Sequence, residues 1–152
     1  MNWQWLSFEE LSRDDLYKVL KVRQAVFVVE QNCVYQDADD LDPVSWHLMG
    51  WRKTTTGREL VAYLRVVFPG KKYPEPSIGR VLTTASVRGT GAGKALTREA
   101  ITRIALEYPQ MSIRISAQRY LEKFYSEFGF ETVSDPYVED GIPHIEMLRE
   151  VT

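Results

Sequence analysis

The chain has little cysteine and no excess of charge of either sign. Cys33 is the single cysteine among 152 residues, so no disulfide can form within the chain. Nineteen Lys and Arg residues face 21 Asp and Glu residues, which gives a formal net charge of -2. Nucleic-acid-binding proteins usually present a basic surface, so this balance indicates no nucleic-acid partner. No Cys and His residues occur at metal-ligand spacing either, and we expect no metal.

Long apolar segments are also missing. The N-terminal stretch MNWQWLSFEE has neither the basic segment nor the apolar run of a signal peptide. No stretch approaches the roughly 20 apolar residues that cross a bilayer, so we expect a cytoplasmic protein without a membrane partner. The length and the 44% apolar content predict one domain, residues 1–152, with a substantial core.

Glycine is concentrated in one short stretch, SVRGTGAGKALT at residues 86–97. A Gly-rich turn that opens a helix often binds phosphate through its backbone N–H groups. A Walker A loop is excluded, because Arg88 and Ala95 occupy its first glycine and its Ser/Thr position. A dinucleotide fingerprint fails too, because Lys94 or Leu96 stands where its third glycine belongs. Two interpretations remain: a pyrophosphate site on the backbone of this turn, or a turn that binds nothing.

Helical and strand patterns alternate along the chain. We predict a helix over 12–27 capped by Ser12, then a hairpin of strands 44–51 and 60–68, and then a strand over 78–85. After the glycine turn we predict a helix to about residue 107, a strand over 111–117, a helix over 119–128 and two closing strands. The acidic segment 37–42 is interpreted as a solvated loop, with long-range attraction of a cationic amine as the alternative. This order favours an α/β (α+β) fold whose sheet has strands 78–85 and 111–117 parallel at its centre.

The glycine stretch resembles a known cofactor motif. Residues 80–95 are similar to the coenzyme A-binding motif of the GNAT N-acetyltransferases, Arg/Gln-x-x-Gly-x-Gly/Ala after a central strand. Arg88, Gly91 and Gly93 match its defined positions. Where many relatives carry a proline before this motif, the chain has Ala85.

Three other segments extend the resemblance over nearly the whole chain. Residues 117–130 resemble the family's later strand-helix segment, which ends in Tyr-x-x-x-Gly-Phe, here at Tyr125, Gly129 and Phe130. Residues 22–35 and 137–147 are similar to the ElaA-like branch of the superfamily. The resemblance implies a GNAT acyl-CoA N-acyltransferase fold, a mixed central sheet with splayed parallel central strands flanked by helices.

The resemblance also implies how acetyl-CoA binds. The pantetheine arm would pair with the backbone of Val81, Leu82 and Thr83, and the pyrophosphate would lie on the glycine turn. Gln118 stands where the family commonly has an asparagine that contacts the cofactor arm. The expected cofactor-binding residues are therefore Val81, Leu82, Thr83, Arg88, Gly89, Thr90, Gly91, Ala92, Gly93, Lys94, Gln118 and Tyr125.

Tyr125 matches the family's general acid, which protonates the leaving thiolate. Its place on an apolar helical stripe also fits plain core packing. Base candidates for the attacking amine are Glu139, Asp140, His144 and His47, although either histidine could equally be structural. Trp46 and His47 are the candidate acceptor-binding residues, with Trp51 and Tyr35 as further possible pocket aromatics.

The resemblance thus implies an enzyme that moves acetyl from acetyl-CoA directly to a primary amine of a small molecule or peptide. The alternative is a non-catalytic CoA-binding regulatory module with the same fold. A phosphate-hydrolysing P-loop protein is disfavoured by Ala95, and a cysteine hydrolase is disfavoured because no nucleophile turn surrounds Cys33. A homodimer is compatible with the sequence.

Overall fold

The computed structural model describes residues 1–151, whose strands form two four-stranded sheets. The first sheet has the order β1 (Asn2–Ser7), β2 (Ser45–Thr54), β3 (Gly57–Val67) and β4 (Ser77–Thr83), with every neighbouring pair antiparallel. The second contains β5 (Ile113–Gln118), β6 (Glu131–Thr132), β7 (Tyr137–Glu139) and β8 (Ile142–Arg149). In it, β8 pairs antiparallel with each of the other three strands. Strand β1 is missing from the sequence-based prediction.

Three α-helices accompany the sheets. α1 (Arg13–Arg23) begins at Ser12, whose Oγ accepts a hydrogen bond from the Asp15 backbone N–H at 3.1 Å, and it continues into a π-helical segment, Gln24–Glu30. α2 (Ala92–Glu107) follows the glycine turn as predicted. α3 (Glu122–Ser126) is shorter than the predicted helix 119–128 because a 3-10 turn precedes it and the chain turns at Gly129, with φ +91°. No helix within residues 1–151 is long and apolar enough to cross a membrane.

The two sheets meet where β4 and β5 begin. The Arg114 backbone N–H donates to the Pro76 carbonyl at 3.1 Å. Beyond this contact, no backbone hydrogen bond joins the two strands within the described part of the chain. The predicted splay of the central strands is confirmed. This splay divides the expected central sheet into two antiparallel sheets.

A β-bulge bends β4 at the splay. Tyr63 pairs with Leu82 and Arg65 with Gly79, so two residues of β4, Arg80 and Val81, lie opposite one residue of β3. Arg80 has φ +52°, in the left-handed region that a non-glycine residue seldom adopts. A bulge of this kind bends its strand and increases its twist, and it lies in the part of β4 that has no backbone hydrogen bond to β5.

The main core fixes α2 against both sheets. Leu96, Ala100 and Ile104 on one face of α2 pack in one buried cluster with apolar residues of β2, β3, β5 and β8. The N-terminus of α2 is thereby held at the end of β4, beside the gap between the strands. The fold thus places the glycine turn next to an open cleft.

Candidate active site

A cleft of about 280 Å³ lies between β4 and β5. Its walls come from both strands, α3, the loops before β2 and β4, and the turn between β7 and β8. Eight of the predicted site residues line it: Val81, Leu82, Thr83, Gly93, Gln118, Tyr125, Glu139 and His144. The segments that carry the family resemblance are therefore brought to one place.

The glycine turn offers a run of free backbone donors. Gly89 and Gly91 have φ of +82° and +85°, which glycine adopts without strain, and Gly91 is the N-cap of α2. Within the described residues, no hydrogen bond occupies the N–H groups of residues 89–94. A Cβ at Gly89, Gly91 or Gly93 would meet nothing within 4 Å, so the space before the turn is open. Free amides at the positive end of a helix dipole form an anion site.

The basic side chains beside the turn are engaged with the protein. Arg88 donates to the Thr83 carbonyl at 3.1 and 2.8 Å and pairs with Glu30 at 2.7 Å. Lys94 lies 3.7 Å from Glu127, and both side chains are more than half exposed. The backbone amides are thus the groups without a partner, while Arg88 and Lys94, the two basic residues among the expected cofactor-binding residues, lie in ion pairs.

The edge of β4 that faces β5 supports the predicted strand-like binding mode. β3 occupies the other edge of β4, whereas no backbone group of the described chain pairs with this edge beyond Pro76. Val81, Leu82 and Thr83 line the cleft along it. An extended amide-containing chain could pair with this backbone as an added strand does.

Tyr125 is 5% exposed and lines the cleft from α3. Its ring packs edge-on against Phe124 and Phe130, with centroids 5.1 and 5.9 Å apart. The hydroxyl makes no hydrogen bond with residues 1–151. Burial raises the pKa of Tyr125 above its ordinary value, so the hydroxyl keeps its proton at neutral pH. The side chain serves both as core filling and as a proton-bearing group at the cleft.

His144 and Glu139 form a polar pair at the cleft. The two residues come from the hairpin of β7 and β8, and the Glu139 carboxylate lies 3.5 Å from His144 Nε2. His144 Nδ1 lies 2.7 Å from the Ile142 carbonyl, which can only accept, so Nδ1 carries the proton. In the neutral ring the lone pair is then on Nε2, the nitrogen nearer Glu139. This arrangement suits a proton acceptor.

His47 and Trp46 do not line the cleft, so the structure contradicts their predicted acceptor-binding role. His47 is fully buried, with Nδ1 2.7 Å from the Tyr63 hydroxyl and Nε2 3.0 Å from the Asp42 carbonyl. Burial lowers the pKa of His47 below its ordinary value, which favours a neutral structural histidine. Trp46 stacks on Trp5 at 5.3 Å as part of the packing of β1 against β2.

The interpretation of the acidic segment as a solvated loop was also wrong. Asp42 is 7% exposed and accepts hydrogen bonds from Arg23 at 2.7 Å and from Arg65 at 2.9 Å. Burial alone would raise the pKa of Asp42, but hydrogen bonds and attraction from these two guanidinium groups outweigh it and lower the pKa. Arg23 and Arg65 are themselves almost inaccessible, so the three groups form a buried ion-pair network.

The same network reaches the bulge in β4. Arg80 donates to the Asp37 carboxylate at 2.8 Å and to the Asp37 carbonyl at 2.9 Å, and it lies 3.3 Å from Asp39. Arg23 also pairs with Asp37, at 2.8 Å. The acidic segment is thereby tied to α1, β3 and the strand that walls the cleft. Asp40, by contrast, is exposed.

Sequence reasoning missed three basic residues of the cleft, Arg65, Lys72 and Arg80. Arg65 and Arg80 lie in ordinary strand patterns, and Lys72 lies in the proline-rich segment 69–76, so no local signal marks any of them. Cys33, Tyr35 and Asp140 also line the cleft, which keeps Asp140 among the base candidates. Across residues 1–151, no group of three or more His, Cys, Asp or Glu side chains could hold a metal ion.

Comparisons with known proteins agree with this geometry. The family model for the acetyltransferase (GNAT) domain matches residues 52–151. A UPF0039 protein of Synechocystis is 49% identical over 99% of this chain and 96% of its own length, and protein ElaA of Escherichia coli is 42% identical over 99% and 97%. The crystal structure of an acyl-CoA N-acyltransferase from Pseudomonas aeruginosa superposes with a TM-score of 0.90 at 37% identity, covering 98% of this chain and 99% of that one. The predicted resemblance and fold are confirmed.

Proposed function

The chain belongs to the GNAT acetyltransferase family, and from this premise we propose that it transfers an acetyl group from acetyl-CoA to a primary amine. The coarser activity, acyl transfer from a CoA thioester, is that of the family. The choice of acetyl as the acyl group and of an amine as the acceptor is the proposal. The observation that carries it is the array of free amides at residues 89–94 beside a cleft that contains a protonated tyrosine.

The free amides and the open edge of β4 fit the two ends of a CoA molecule. The pyrophosphate carries negative charge and would accept hydrogen bonds from the glycine turn. The pantetheine arm contains two amide groups that would pair with the backbone of Val81 to Thr83. Neither interaction requires a side chain to give up a partner that it has in the structure.

The reaction forms one bond, breaks one bond and transfers two protons, one from the amine and one to the departing sulfur. The amine nitrogen attacks the thioester carbon, a C–N bond forms, and the C–S bond breaks to leave the CoA thiolate. The Tyr125 hydroxyl supplies a proton to the departing sulfur, and His144 Nε2 accepts the proton that the amine loses. Glu139, 3.5 Å from that nitrogen, would stabilise the imidazolium that results.

Calorimetric titration of the purified chain with acetyl-CoA and with CoA tests the cofactor site. We expect micromolar-range binding of both. Gly91→Asp should weaken it at least tenfold, by placing a carboxylate and a strained φ at the anion site. Gly57→Asp is the matched control, because Gly57 also has a positive φ, +150°, and open space around it but lies at the start of β3, outside the cleft.

Release of free thiol from acetyl-CoA in the presence of an amine library then tests the chemistry. Turnover with at least one amine supports the proposal. Binding of CoA without turnover on any amine would instead identify a non-catalytic CoA-binding module. An absence of CoA binding would overturn the proposal altogether, and binding of ATP with magnesium in its place would support a P-loop protein instead.

A further inference from the structure

The basic side chains that line the cleft differ in whether they have a carboxylate partner. Arg65 and Arg80 are both held by carboxylates of the segment 37–42. Lys72 has no ion pair or hydrogen bond with its side chain within residues 1–151, and it is exposed. Desolvation by the surrounding cleft lowers the pKa of Lys72, and attraction from Glu139 is the largest effect that opposes this shift. The cleft thus contains one ammonium without a direct partner, near the Glu139–His144 pair.

The loop that carries Lys72 is held in a defined shape. It contains Pro69, Pro74 and Pro76, and it is closed by a hydrogen bond of 2.7 Å from the Gly70 N–H to the Tyr73 carbonyl. The Lys72 Nζ lies 5.5 Å from the centroid of the Tyr73 ring. A fixed backbone and an aromatic neighbour limit the positions that the ammonium can take.

Two segments that line the cleft meet at Cys33 and Asp140. The Cys33 thiol lies 3.4 Å from the Asp140 carbonyl, which joins the segment after α1 to the turn between β7 and β8. Glu139, the partner of His144, precedes Asp140 in this turn and also lines the cleft.

We propose that the acceptor is a small amine that also carries a carboxylate, of which a free amino acid is the simplest case, and that Lys72 binds the carboxylate. The inference rests on the proposed function. The amine would face His144 Nε2 while the carboxylate pairs with the Lys72 ammonium. A singly charged carboxylate suits this place better than a phosphate dianion, because Lys72 is the one basic side chain lining the cleft within residues 1–151 that has no carboxylate partner, and the Glu139 carboxylate lines the same cleft.

The test is thiol release from acetyl-CoA with the twenty common L-amino acids except proline, which is a secondary amine, and cysteine, whose own thiol would be detected. Each acid is compared with its carboxamide. We expect at least one acid to have a kcat/KM about tenfold or more above that of its amide. Lys72→Met should lower kcat/KM for that acid about tenfold to hundredfold, chiefly through KM, and leave the amide within about twofold. Amidation also changes the pKa of the amine, but that change is the same for both proteins and cancels when the acid-to-amide ratios are compared. Lys71→Met, an exposed neighbour outside the cleft, is the matched control.

Equal use of acids and amides by the wild-type chain, or equal losses for both in Lys72→Met, would overturn the proposal. If no amine releases thiol, the proposed function fails, and the acceptor site is judged by calorimetry on the CoA-saturated protein. Binding of a free amino acid that is lost in Lys72→Met and kept in Lys71→Met would still support the site. No binding of any of the twenty would overturn it.

Discussion

The guanidinium of Arg88 lies 2.7 Å from the carboxylate of Glu30, at the end of the π-helical segment that follows α1. The same guanidinium donates twice to the Thr83 carbonyl. Arg88 therefore joins the start of the glycine turn to β4 and to the α1 region. Glu30 places a negative charge beside a turn whose free amides are suited to an anion.

Removal of the negative charge of Glu30 should strengthen cofactor binding. We expect Glu30→Gln to tighten acetyl-CoA binding about twofold to fivefold at low salt, because it leaves Arg88 unneutralised near the anion site. The gain should shrink at about 0.5 M salt, since both side chains are more than 40% exposed and are screened. Calorimetry at two salt concentrations measures both effects. Glu9→Gln, an exposed residue remote from the turn, should change nothing, and weaker binding in Glu30→Gln would contradict the prediction.

The buried ion-pair network makes Asp42 a stability-determining residue. Asp42→Asn would leave Arg23 and Arg65 without one of their carboxylates, and we expect the free energy of unfolding to fall by about 3 kcal/mol. Urea denaturation measures the change. Asp40→Asn is a matched control in the same segment, because Asp40 is exposed and asparagine tolerates its φ of +66°. Equal effects of the two substitutions would show that the network does not stabilise the fold.

The same network predicts loss of stability in acid. Burial works to raise the pKa of Asp39, but hydrogen bonds and attraction from Arg65, with help from Arg80, lower it to about 2. A group whose pKa is lower in the folded state stabilises the fold above its unfolded value of about 3.9, and that stabilisation is lost as the pH falls toward 2. We expect the urea midpoint to be level near pH 6 and to fall between about pH 4 and pH 2. Asp39→Asn should be less stable at pH 6, and its urea midpoint should fall less between pH 4 and pH 2. If the midpoints of the variant and the wild-type chain instead fall in parallel, Asp39 is not the source of the acid-dependent loss of stability.

The features that were predictable from sequence are those with a local cause. The hairpin of β2 and β3, the turn at Gly89 and Gly91, and the run of α2 all follow from side-chain periodicity or from backbone freedom within a few residues. Strand β1 was not predicted, because its alternating pattern covers only six residues and no turn signal flanks it. Local sequence patterns therefore predict the glycine turn and the strand before it, on which the proposed cofactor site is built.

The rest of the site depends on contacts between distant residues. Asp37 meets Arg80, 43 positions away, and that contact turns an apparently solvated acidic loop into part of the wall behind the cleft. His47 looks the same in the sequence as His144, yet one is fully buried under Tyr63 and the other reaches the cleft. Periodicity cannot distinguish such cases, because burial and pairing are set by the packing of whole elements.

Tyr125 gives a direct test of acid catalysis. Tyr125→Phe removes one hydroxyl that has no hydrogen-bond partner in residues 1–151, so the fold and the affinity for acetyl-CoA should change little, with Kd within about twofold. We expect kcat to fall about a hundredfold or more, because the thiolate then leaves unprotonated. Tyr17→Phe, on the exposed face of α1, is the control and should keep full activity. Full activity in Tyr125→Phe would assign the residue to core packing alone.

His144 and Glu139 should have unequal effects if His144 is the proton acceptor. His144→Asn can keep the hydrogen bond to the Ile142 carbonyl through its amide while it removes Nε2, so we expect a large fall in kcat, about a hundredfold, with little loss of stability. Glu139→Gln removes only a charge 3.5 Å away that is 47% exposed, so its effect should be about tenfold or less. Steady-state rates with a saturating amine, measured from pH 6 to pH 9, separate the two. The two variants differ because Glu139→Gln keeps Nε2, the proposed proton acceptor, whereas His144→Asn removes it. The opposite order of losses would identify Glu139 as the proton acceptor.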